Sequence, residues 1–181
     1  MKQRKYKEDY GFESYIDERG HEKRKTVYHG CWYRYHDPDA ARKAMYALVG
    51  CLALCVVCYV GYMLLGSPSS TCMYVLPVAA CALFTLVYWV MGMFSMWRAP
   101  QKMTRVQTEN GVGRVVRSAA GCAALLGMAS GGDMIFMIVV LKENFAQELL
   151  AFALLACAAA AAVAAFRFAK AQHGRMLSDR S

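Results

Sequence analysis

Residues 118–141 read SAAGCAALLGMASGGDMIFMIVVL and carry a single formal charge, Asp133. At about 1.5 Å of rise per residue, a helix of this length crosses the hydrocarbon core of a bilayer, roughly 30 Å thick. A lone carboxylate near mid-membrane costs on the order of 2.5 to 3.5 kcal/mol on insertion scales. That cost must be offset by a partner or removed by a proton, which makes Asp133 the first candidate functional residue. On a helical wheel Asp133 falls beside Cys122, Leu126, Ser130 and Met137. It adjoins a repeat of small residues, Ala119, Ala123, Gly127 and Gly131, of the kind that lets a neighbouring backbone come close. Asp133 is therefore expected to face protein rather than lipid. No Lys or Arg shares its depth, so Ser130, Tyr59 and Tyr62 are the expected hydrogen-bond partners.

Working outward, three more runs are long and apolar enough to span: residues 44–65, 71–97 and 148–166. In the first, Leu48, Cys51, Cys55, Cys58, Tyr62 and Leu65 recur at alternating three- and four-residue spacing, the pattern of a helix-packing seam. Cys81, Phe84, Tyr88, Met91 and Ser95 continue such a seam in the second, which Pro77 is expected to kink. The last span is dominated by alanine, and Ala153, Cys157, Ala161 and Ala165 form a second four-residue stripe of small side chains. Asn144 with Gln147 reads as its capping box. The fold expected is an all-α membrane protein of four transmembrane helices in an up-down bundle (38–170), with a polar N-terminal extension (1–37) and a short polar tail (171–181).

The extension is charged but rich in aromatics. The Asp17-Glu18-Arg19-Gly20 turn between Ser14-Tyr15-Ile16 and Lys25-Thr26-Val27-Tyr28 reads as a β-hairpin. Trp32-Tyr33-Arg34-Tyr35 has the composition of an interfacial anchor, or of a docking surface. Asp37 and Pro38 mark a helix start, as N-cap and first helical residue. His29, Cys31, His36, Asp37 and Asp39 include metal-ligand types but match no zinc spacing. The 98–117 connection reads as a hairpin at Asn110-Gly111 or as short helical extensions of its neighbours.

Charge fixes the expected threading. Of 21 Lys and Arg residues, Lys142 alone falls in an expected outer loop, which places both termini in the cytoplasm. The net charge of +8 belongs to these helix ends and points to anionic lipid headgroups, not nucleic acid. The N-terminus has no apolar h-region of a cleavable signal. Absence of an Asn-x-Ser/Thr sequon favours a prokaryotic plasma membrane. Of the eight cysteines all but Cys31 sit in or beside the spans, where they act as small hydrophobes rather than a disulfide framework. Asp133, Cys58, Cys81 and Cys157 share an approximate depth, one ligand type per helix, but packing explains them better than a soft metal. No hydrolase triad, nucleotide loop or metalloprotease motif occurs, so no catalytic residue, metal or cofactor is assigned. Two functions fit: a non-catalytic accessory or assembly subunit of a larger membrane complex, or a small oligomeric transporter or channel with Asp133 as its proton or cation site. The residues alone favour the first.

Overall fold

The computed structural model describes residues 9–16, 21–98, 102–139, 145–174 and 176–179. Strands β1 (Tyr10–Ile16) and β2 (Glu22–Tyr28) pair antiparallel from Tyr10 opposite Tyr28 to Ile16 opposite Glu22. The expected turn residues 17–20 lie outside the described residues. Phe12 and Ile16 are exposed, so the hairpin stands clear of the helices rather than packing into them. Its base is anchored by Tyr28, whose ring meets Tyr10 and Trp32 edge-on, each at 5.1 Å. The Tyr28 hydroxyl donates to the Cys31 carbonyl at 2.9 Å and accepts the Arg105 amide at 3.1 Å. Burial raises its pKa above the ordinary tyrosine value.

Strand β3 (Trp32–Tyr35) is more than an interfacial anchor. It pairs antiparallel with β4 (Met176–Asp179), and Tyr33 exchanges two 2.8 Å backbone hydrogen bonds with Met103. The extension, the 98–117 connection and the tail are thus sewn together at one end of the molecule. Burial here pushes the Tyr35 pKa up to about 12.

Helix α1 (Pro38–Leu65) starts at Asp37, whose carboxylate accepts from the amides of Asp39 and Ala40 at 2.9 and 3.2 Å. It stops at Gly66, where a left-handed φ of 58° suits a residue with no Cβ. A single 3-10 turn, Pro68–Thr71, leads to α2 (Leu76–Trp97). Pro77 lies in the first turn of α2 and so does not kink it; an amide there has no intrahelical partner to lose. The connection is helical: α3 (Arg105–Asn110) opens on a Thr104–Gln107 capping box, and Gly111 joins it to α4 (Val112–Val139). Helix α5 (Phe145–Gly174) runs past the expected end at 166 and carries Arg167, Lys170 and His173 on helical turns. The expected outer loop, Lys142-Glu143-Asn144, and the cap at Asn144 lie outside the described residues.

Helix α4 packs against α5 on one side and α2 on the other, and α1 packs on α5, while α1 and α2 barely touch. Leu48, Cys55, Tyr62, Trp89, Leu126 and Leu155 are among the side chains that fill one shared core. The outer faces are as apolar as the inner ones: Val57, Leu64, Phe84, Phe94 and Ile138 are all exposed. About a third of each span is buried inside the protein, so most apolar surface faces outward, as it does where lipid is the solvent. These four helices are long and apolar enough to cross a membrane, which fits an integral membrane protein.

Three faces differ from their sequence-based assignment. On α2 the buried stripe is Ala79, Ala82, Leu86, Trp89 and Met93, whereas Cys81, Phe84, Tyr88 and Met91 are exposed. A helix apolar all round offers two stripes of equal spacing, and side-chain volume chooses between them. Ala79, Ala82 and Gly92 let α4 approach; Phe84 and Met91 would hold it off. On α4 and α5 the four-residue repeats drift, because each step advances about 40° beyond a full turn. Ala119 is therefore buried, Ala123 half-buried, and Gly127 and Gly131 exposed, with nothing within 4 Å of an added Cβ at either glycine. Likewise Ala161 and Ala165 are buried, but Ala153 and Cys157 face out.

Candidate functional site

Alternating three- and four-residue spacing, rather than a repeat of four, describes the buried faces. On α4 it runs Val115, Ala119, Cys122, Leu126, Ala129, Asp133, Phe136, and places Asp133 among side chains that face protein. On α5 it runs Ala165, Ala162, Ala158, Leu155, Ala151 and ends on Glu148. Both carboxylates have a relative exposure of 0 %. They meet where the start of α5 reaches the turn after α1, and Gln147 ties the same corner by donating to the Leu65 carbonyl at 2.9 Å.

That turn supplies the rest of the site. The Ser69 amide donates to Glu148 Oε1 at 3.0 Å, and the Ser67 and Ser69 hydroxyls, both fully buried, share a hydrogen bond at 3.1 Å. Asp133 lies within interaction range of Ser69 and Glu148, and Tyr62, also fully buried, within range of both acids and Ser69. Yet Asp133 Oδ1 and Oδ2, Glu148 Oε2 and the Tyr62 hydroxyl have no hydrogen bond of good geometry among the described residues. The ion pairs of those residues, Arg105–Glu109 and His29–Glu13, lie elsewhere, so among the described residues neither buried acid has a basic partner.

Of the expected partners, Tyr62 is at the site, but Tyr59 is not available: it donates to the Ala79 carbonyl of α2 at 2.9 Å. Ser130 is buried one turn before Asp133. Cys58 lies beside Cys157, and Cys81 is exposed. No three His, Cys, Asp or Glu side chains of the described residues converge on a metal-sized site. The donors that do converge are two carboxylates and the hydroxyls of Ser67, Ser69 and Tyr62, an all-oxygen set suited to a proton or a hard cation and not to a soft metal.

Glu148 is the residue sequence reasoning missed. At the edge of the last span it reads as an ordinary acid complementing the helix dipole. Counting the alternating spacing back from Ala162 exposes it, since 162, 158, 155, 151 and 148 fall on one buried line. No protein-family model, no curated protein and no solved structure matches the chain.

Proposed function

We propose that this chain is a membrane protein that takes up a proton or a cation at the Asp133–Glu148 pair, as a small oligomeric transporter or channel. The observation that carries the reading is the pair itself: two fully buried acids with three unpartnered oxygens and no basic neighbour among the described residues. Two like charges in a low dielectric cannot both stay ionised unaided, and an unpaired buried charge costs several kcal/mol. Intramembrane acids of this kind are characteristic of proton and ion pathways, and a positively charged ligand would balance the pair. Four spans in up-down order, with both termini in the cytoplasm, fit the Lys and Arg distribution and the pairing of β3 with β4 and Met103. The pair then sits toward the outer side, under the Ser67–Thr71 turn.

The test is ion flux into vesicles reconstituted with wild type, Asp133→Asn and Glu148→Gln. Flux of protons or a metal cation is expected in wild type and absent from both variants. Absence of flux in wild type across protons and the common mono- and divalent cations would sink the transport reading.

An accessory or assembly role in a larger membrane complex is the second reading. It is favoured by Gly127 and Gly131, which face outward with nothing within 4 Å of a Cβ position. Another helix, from a partner or a second copy, would fit closely there.

A further inference from the structure

Away from the acid pair, a groove of about 680 Å³ opens between α4 and α5 at the end where β3, the connection and the tail meet. Its rim carries Arg117, Lys170 and His173, and its floor is formed by the half-buried side chains of Val116 and Phe166. We propose that this groove is a binding site for one anionic phospholipid, with the headgroup phosphate between Arg117 and Lys170 and an acyl chain along Val116 and Phe166.

The cations are placed for it. Arg117 is held by its own helix and by α3, with Nε donating to the Gly113 carbonyl at 3.1 Å and an Nη to the Glu109 carbonyl of α3 at 3.4 Å. That orients the guanidinium and leaves three of its five N–H donors for an anion. Lys170 Nζ lies 5.7 Å from the Phe166 ring centroid and makes no hydrogen bond among the described residues. The acid on the rim, Glu109, is countered by Arg105, whose Nε is 3.6 Å from its carboxylate. A soluble phosphate would satisfy the rim alone; the apolar floor, continuous with the span surfaces, is what selects a lipid. Basic pockets between helices at the headgroup level are where such lipids bind.

The experiment is native mass spectrometry of the full-length protein in detergent, titrated with a phosphatidylglycerol or a phosphatidylcholine of the same acyl chains. One phosphatidylglycerol per chain is expected to be retained, and phosphatidylcholine not. Arg117→Gln with Lys170→Gln should weaken retention roughly thirtyfold, from two headgroup-level cations. A control, Arg42→Gln with Lys43→Gln, removes two exposed cations at the start of α1 and should leave retention unchanged. If the double variant does not fold, Lys170→Gln alone carries the test, with a loss of roughly fivefold. Equal retention of both lipids, equal loss in the control, or displacement of the lipid by millimolar inorganic phosphate would each overturn the proposal, the last by showing a free-anion site.

Discussion

Asp133 and Glu148 owe their character to what surrounds them rather than to what they are. Among the described residues, Glu148 has one oxygen satisfied by the Ser69 amide and one open, and Asp133 has both open. Substitutions at Asp133 separate charge from shape. Asp133→Asn keeps the side chain's size, and its amide can donate to Glu148 or accept from Tyr62, so the variant should melt within about 1 kcal/mol of wild type in detergent. Asp133→Leu removes every polar contact and leaves Tyr62 and Glu148 facing a hydrocarbon, which should cost about 1 to 3 kcal/mol. Thermal denaturation of the two variants beside wild type checks this; equal losses in both would mean that the site is not a hydrogen-bonding cluster. Asp133 was legible because a charge inside a span has no innocent reading. Glu148 was not, because an acid in a first helical turn has one.

Among the helices, the close approach falls at Gly92, not in the glycine repeat of α4. A Cβ there would lie 2.8 Å from Val115 Cγ2 and 3.2 Å from the Val115 amide nitrogen, and the branched valine has little freedom to withdraw. Gly92→Ala should therefore destabilise the α2–α4 contact by about 1 to 3 kcal/mol. Gly127→Leu should be tolerated by the isolated chain, since its added side chain points into open space. Melting curves for both variants decide it; a larger loss at Gly127 would mean that its face is covered. The α1 stripe was readable because Leu48, Cys55, Cys58 and Tyr62 all turn inward. The α2 face was not, because hydropathy is the same on both sides and volume, not polarity, selects the interface. Repeats of four misled on α4 and α5 for a geometric reason: they wind off the contact line, whereas alternating threes and fours follow it.

At the level of the whole molecule, hydropathy fixes the number and place of the long helices, because only runs of that length need a lipid solvent. The pairing of β3 with a strand at the far end of the chain leaves no local signal: WYRY, polar and aromatic, and MLSD, half apolar and half polar, become strands only in each other's company. The terminus-bearing end is thus a hydrogen-bonded platform, while the opposite end holds the two buried acids. The central claim is that those acids share a bound proton or cation. It is tested most directly by infrared difference spectroscopy of the reconstituted protein, titrated with acid and then with metal cations. Wild type should show a carboxyl or carboxylate band that changes on titration, altered in Asp133→Asn and in Glu148→Gln and lost when the two are combined. If no wild-type band is missing from the combined variant, above the response of the other acidic residues that the two proteins share, the account is contradicted.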